Sequence, residues 1–228
     1  RHRRGAVVQG ALPAAWLGWT GQLAELCSLY TFWLYKAREG QNAFSQELHR
    51  SERLQPSVPL FMSLASSQQQ WQMRGYVDLP AEELPGLLGP ELAASVAKGA
   101  LSVSTASVWA GAGGSRTPLH KDNVPALVFQ IAGAKRWFLS SRAEVEEAVE
   151  RGALPEAVRD EGRTDAFCVD GTLDEVHGLR EAAPPRARGS VAVLRAGDCL
   201  VLPDGLYHDV ECAAGSPASI SLTVRLEL

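Results

Sequence analysis

The chain is 228 residues long, with 46% hydrophobic and 21% charged side chains and a net charge of −4. That composition supports an ordinary packed core and excludes a disordered or collagen-like chain. The acidic balance, with Lys and Arg scattered, weighs against a partner gripped through its phosphates, and no apolar run is long enough to span a bilayer.

The chain opens on Arg1 rather than Met, so a trimmed leader is expected. Four cysteines, Cys27, Cys168, Cys199 and Cys212, stand singly with no CxxC pair. That spacing fits neither a zinc knuckle nor a redox dithiol. Cys199 and Cys212 lie in apolar, strand-like runs. Both are expected to be buried thiols in a reducing, intracellular (cytoplasmic or nuclear) compartment.

In chain order, "GAVVQGALPAAW" reads as a strand entering a turn. "TGQLAELCSLY" spaces Leu23, Leu26 and Leu29 as a helix, with Thr20 as N-cap. "SVPLFMSLASSQQQWQM", residues 57–73, reads as a second helix with Ser57 as cap and Pro59 in its first turn. Residues 80–98 read as short helical pieces punctuated by Pro85 and Pro90. From residue 100 the texture changes to period-two runs separated by Gly- and Pro-containing turns, the pattern of an antiparallel barrel or two-sheet sandwich. A polar stretch, 140–189, interrupts these runs with one helix-like segment, "SRAEVEEAVERG". It is expected outside the barrel, over its mouth. The whole chain, 1–228, reads as a single domain: a mixed α/β support over 1–99 and a barrel core over 100–228.

One segment, "TPLHKDNVPALVFQIAGAKRW", places a histidine, an aspartate and a lysine among apolar residues. On a strand, His120 and Asp122 project to one side and Lys121 to the other. An imidazole beside a carboxylate supplies two ligands of a facial triad on Fe(II), whose third is usually a distant histidine. His208, in "GDCLVLPDGLYHDV", is the candidate. Alone, an HxD pair recurs by chance, and a single histidine on an apolar strand is more often a core residue. The joint pattern with Lys135 on the following strand is what points to a site. His2, His49 and His177 sit in polar contexts and are assigned to solvent, and Trp109 and Trp137 to the core.

These fragments resemble the JmjC or cupin-like Fe(II)/2-oxoglutarate oxygenases. "WAGAGGSRTPLHKD" is similar to that family's approach to the metal, "FQIAGAKRW" to its Q-x-x-G-x-K-R-W strand pair, and "AGDCLVLPDGLYHDVE" to its late G-D…P…H-x-V strand. The resemblance implies a mainly β fold, a double-stranded β-helix (jelly-roll or cupin-like barrel) with N-terminal helices packed outside. It implies His120, Asp122 and His208 as metal ligands and catalytic centre. Lys135 and Thr117 would hold the distal carboxylate of 2-oxoglutarate, with Tyr76 and Thr223 as further residues lining the cosubstrate pocket. The implied cofactors are Fe(II), 2-oxoglutarate and O₂. The implied reaction is hydroxylation of a protein or peptide side chain, with release of succinate and CO₂. N-methyl-lysine demethylation is the alternative within the family, and a non-catalytic or 2-oxoglutarate-independent cupin-like metal-binding module is the alternative of another class. A nucleic-acid substrate fits the acidic balance less well, and the sequence carries no signal for oligomeric state. The chain departs from the family pattern at Lys121, Ala126, Arg225 and the polar insert.

Overall fold

The computed structural model describes residues 5–12, 32–38, 71–83, 90–164, 166–169, 173–174, 178–179, 185–214 and 219–227. Two antiparallel sheets dominate. The strands of the first are β1 (Ala6–Val8), β2 (Phe32–Arg38), β3 (Trp71–Leu79), β4 (Val103–Gly111), β6 (Ala126–Ala132), β11 (Cys199–Leu202) and β13 (Ser219–Leu226), in the order β1-β11-β6-β13-β4-β3-β2. The second runs β10-β7-β12-β5, from β5 (Arg116–Lys121), β7 (Ala134–Ser140), β10 (Ser190–Arg195) and β12 (Tyr207–Cys212). A separate two-residue pair joins β8 (Leu173–Asp174) and β9 (Gly178–Leu179). From β4 to β7 and again from β10 to β13, successive strands alternate between the two main sheets, which makes the barrel a double-stranded β-helix, as expected.

Strand β7 shows how the sequence builds both layers. All seven of its residues are buried, so period-two alternation sorts its side chains between two filled faces. Trp137 and Leu139 point between the sheets and pack with Ala126, Val128, Leu194, Leu200, Leu202 and Leu206. Phe138 points the other way, into a cluster with Leu119, Tyr207, Val145, Val149 and Val158. That outer cluster is supplied by the insert, through α2 (Arg142–Glu150) and α3 (Ala157–Glu161). Helix α2 starts where expected, on a capping box in which Ser141 and Glu144 satisfy each other's backbone amides.

The described part of the insert therefore lies behind the second sheet, not over the barrel mouth as its polarity suggested. It also covers the free edge of β5. Thr164 N–H donates to Leu119 O at 2.9 Å, Leu119 N–H to Ala166 O at 3.0 Å, and Lys121 N–H to Gly162 O at 3.0 Å. An uncovered edge would template aggregation. Where the insert rejoins the barrel, Gly189 passes so close to β7 that a Cβ would meet Leu139 O and lie 2.6 Å from Phe138 Cζ.

Charges fasten the same segment from behind. Arg136, fully buried, pairs with Glu211 at 2.7 Å and with Asp209 at 4.0 Å. Arg136 and Arg116 both donate to Val169 O, at 3.3 and 2.6 Å, and Cys168 N–H donates to Asp209 Oδ2 at 2.7 Å.

Two sequence expectations change in the N-terminal region. Trp71–Met73, expected as the tail of a helix, opens strand β3. Strand β2 (Phe32–Arg38) was not anticipated and pairs with β3. The remainder of the 57–73 helix and the 20–30 helix lie outside the described residues, as do His2, His49, His177 and Cys27. Within 80–98, a 3₁₀ turn (Ala81–Glu83) and α1 (Pro90–Ala97) agree with short helical pieces. Cys199 and Cys212 are buried free thiols, as is Cys168. No helix among the described residues is long and apolar enough to cross a membrane.

Candidate metal centre

Strands β5 and β12 pair with His120 opposite His208 and Thr117 opposite Val210, and the register shifts between the two pairs. Three residues of β5 are thus matched by two of β12, a β-bulge. Without it Thr117 and His120, three apart, would face opposite sides. With it both line the same cavity, while Leu119 turns out to the rear cluster. Pro118, which has no N–H to give the ladder, sits within this bulge, one of the positions in a sheet that accepts proline. Asp122 follows one residue beyond the strand, and its carbonyl accepts from Gly205 N–H at 2.8 Å. That bond ties the turn preceding His208 to Asp122.

One potential ligand atom from each of His120, Asp122 and His208 lies within 4.8 Å of the others. The chemistry of the set is defined by what the imidazoles do with their other nitrogens. His120 Nδ1–H donates to Pro118 O at 2.8 Å, and His208 Nδ1–H to Leu206 O at 3.0 Å. A carbonyl can only accept, so each neutral ring carries its proton on Nδ1 and keeps the Nε2 lone pair for a ligand. Burial lowers the pKa of His208, against the opposing pull of Asp122 and the Leu206 carbonyl, and so favours the neutral, metal-binding form. Two imidazoles and one carboxylate suit a divalent first-row metal such as Fe(II), with part of its coordination left open.

The three residues share one cavity of ≈ 340 Å³ with Lys135, Thr117, Tyr76 and Thr223. The structure therefore brings together all seven residues singled out in the sequence. Lys135 is 5% exposed, and its Nζ donates to Ser221 Oγ at 2.7 Å. Tyr76 stacks on Trp109, with ring centroids 4.6 Å apart and an interplanar angle of 27°. Lys121 leaves the cavity, its ammonium 5.7 Å from the Tyr207 ring centroid on the outer face.

Of the two tryptophans expected in the core, Trp137 is buried there as expected, and Trp109 departs from expectation. Trp109 is half-buried and lines the cavity. Trp137 also lines it, its ring centroid 5.5 Å from that of His208, and its buried Nε1 makes no hydrogen bond among the described residues. Asp78, Ser221 and Arg225 line the cavity and were not anticipated. Ser221 and Arg225 could have been found from the alternation, since each lies two residues from Thr223 on one strand.

No curated protein matches the chain. Among solved structures, it is similar to one described as the X-ray structure of E. coli ycfD, at 13% identity and a TM-score of 0.46, over 100% of this chain and 50% of that one. It is also similar to YcfD, a ribosomal oxygenase from Escherichia coli, in complex with cobalt and 2-oxoglutarate, at 15% identity and a TM-score of 0.46, over 100% and 50% of the two chains. A third, the same protein with cobalt and succinic acid, gives 14%, a TM-score of 0.45, and 99% and 48%. The chain spans about half the length of the solved structures it matches. The family model of the cupin-like domain matches residues 31–224, and the chain belongs to that family.

Proposed function

We propose that the protein is an Fe(II)- and 2-oxoglutarate-dependent oxygenase that hydroxylates a protein or peptide side chain. The observation that carries this reading is the pairing, in one cavity, of a His-Asp-His donor set with a buried lysine. A cation removed from water is costly unless it meets an anion. A dianionic keto-acid chelating a metal at the triad would bring its far carboxylate to such a group.

His120, Asp122 and His208 would hold the iron. Iron and 2-oxoglutarate together supply an oxidant at the expense of O₂, leaving succinate and CO₂. The protein's own part is binding, orientation and shielding. Lys135 supplies the charge for the distal carboxylate, with Ser221 fixing its ammonium and Thr117 offering a hydroxyl from β5, two strands away in the same sheet. Trp137 offers a buried N–H donor to an oxygen in the cavity. Tyr76, packed on Trp109, and Thr223 close the side walls. The described cysteines are free thiols, which suits a reducing intracellular compartment. Residues 1–228 act in this reading as one domain.

Succinate formation by iron-reconstituted protein supplied with 2-oxoglutarate and ascorbate tests the proposal. Turnover is expected in the wild type and lost in His208→Ala. A wild type that takes up iron yet neither binds 2-oxoglutarate nor forms succinate would contradict it.

A further inference from the structure

Strand β13 carries an inward polar row whose exposure rises along the strand: Ser219 0%, Ser221 1%, Thr223 8%, then half-buried Arg225. The row runs from the closed end of the cavity, where Lys135 meets Ser221, toward its opening. Near the opening three neighbouring strands set polar residues side by side. Asp78 on β3 is the register partner of Ser107 on β4, and Ser107 that of Thr223. The Ser107 hydroxyl donates to Asp78 Oδ1 at 2.6 Å and accepts from Arg225 Nη1 at 2.9 Å. Arg225 Nη1 also reaches Thr105 Oγ1 at 3.5 Å.

A single hydroxyl thus separates an exposed carboxylate from a half-buried guanidinium. No ion pair joins the two charges, and among the described residues Asp78 Oδ2 and Arg225 Nη2 and Nε take part in no hydrogen bond. Both residues line the cavity that holds the His-Asp-His set.

We propose that Asp78 and Arg225 form a specificity-determining lip that holds a carboxamide side chain, Asn or Gln, of the polypeptide entering the cavity. The inference rests on the reading of the cavity as an oxygenase site that acts on a polypeptide. A carboxylate drawn to Arg225 would face Asp78, and an ammonium or guanidinium drawn to Asp78 would face Arg225, so each single charge meets one repulsion. A primary amide carries its acceptor oxygen and its N–H donors on adjacent atoms, and it meets both partners without a net charge. Its oxygen accepts from Arg225 and its N–H donates to Asp78, two charge-assisted bonds. A trans backbone amide holds N–H and C=O on opposite sides and cannot bridge the pair. Ser107 sets the spacing. The carboxamide is a handle gripped at the mouth, and the lip does not itself define which carbon is oxidised.

The test is binding, read by NMR titration under argon so that no turnover occurs. The probes are blocked peptides, acetyl-Gly-Gly-Xaa-Gly-Gly-N-methylamide, with Xaa as Asn, Gln, Asp, Lys or Leu. Each is titrated into protein loaded with Mn(II) and 2-oxoglutarate, and again without either. The wild type should bind the Asn or Gln peptide roughly ten-fold tighter than the others, the worth of one good charge-assisted contact. Asp78→Asn should shift the preference toward the Asp peptide, and Arg225→Gln toward the Lys peptide. Opposite shifts in two folded variants are something a general loss of packing would not produce. Equal affinities for all probes, an unchanged ranking in both variants, or tighter binding of free asparagine than of the blocked Asn peptide would overturn the lip. Calorimetry of 2-oxoglutarate with the Mn(II) protein separates the two readings. Cosubstrate binding without a carboxamide preference removes the lip alone, whereas the preference without cosubstrate binding removes the oxygenase reading and leaves the lip.

Discussion

His120 and His208 are register partners on neighbouring strands, and their imidazole rings lie 4.2 Å apart, centroid to centroid, tilted by 57°. Each ring is pinned by a hydrogen bond from Nδ1 to the carbonyl two residues before it. Two rings oriented by their own backbones, with a carboxylate beside them, are prepared for a metal before one arrives.

Removing one ring should therefore abolish tight metal binding rather than weaken it slightly. His208→Ala is expected to cost more than the roughly 10–100-fold typical of losing an outer hydrogen-bond partner of a ligand. Competition titration with Co(II), followed by its visible spectrum, measures this. An unchanged Co(II) affinity would remove His208 from the ligand set.

In the proposed reading, Lys135 would act on the cosubstrate and not on the metal. A buried charge-assisted hydrogen bond is worth about 1.5–3 kcal/mol, so Lys135→Met should weaken 2-oxoglutarate binding by roughly ten-fold to over a hundred-fold. Co(II) affinity should stay near that of the wild type. Ser221→Ala, which removes the partner of the Lys135 ammonium, should weaken 2-oxoglutarate binding in the same direction by a smaller factor.

The ion cluster behind β12 governs stability. Arg136→Met would leave Glu211 and Asp209 buried beside one fewer cation, and breaking such a pair from one side costs about 3–5 kcal/mol. Urea unfolding is expected to show this loss. Limited trypsin digestion should also cut faster within the insert, because Val169 loses one of its two arginine donors. A variant as stable as the wild type would show that the cluster is not what holds the insert.

Cys199 gives a pH-dependent prediction. Burial pushes its thiol up to about 11. The folded state therefore binds that proton more tightly than the unfolded chain does. Its contribution to stability is complete below the free thiol's range and disappears as pH rises through about 11. Iodoacetamide at pH 8 should leave Cys199 unmodified in the folded protein and modify it in urea, as mapped by mass spectrometry. At strongly alkaline pH the wild type should lose more stability than Cys199→Val.

Much of the centre was legible in the sequence because metal and anion chemistry needs particular residue types. HxD, a lysine soon after it (two strands on, not on the next strand as expected) and a histidine on a late strand leave few other readings once they occur in order. The bulge in β5 was not legible. Alternation alone sends Thr117 and His120 to opposite faces, and only the pairing with β12 shows the extra residue. Trp109 was misplaced, and the cavity beside the buried Trp137 went unseen, because period two says which residues share a face, not which of two filled faces holds a cavity. Trp71–Met73 were given to a helix, although Trp71, Met73, Gly75, Val77 and Leu79 already alternate, and their pairing with β2, a strand the sequence reading missed, makes them strand. The insert's polarity correctly put it outside the barrel. Its attachment to β5 and Asp209 depends on backbone groups and charges distant in sequence, which composition does not reveal.

An oxygenase of the proposed kind must hold metal and keto-acid together in one cavity. The decisive measurement is the visible absorption of Fe(II)-loaded protein as 2-oxoglutarate is added under argon. A charge-transfer band that needs both components, is absent in His208→Ala and requires far more 2-oxoglutarate in Lys135→Met is the expected result. Iron bound by the wild type with no band at any 2-oxoglutarate concentration, and no calorimetric sign of its binding, would contradict the account.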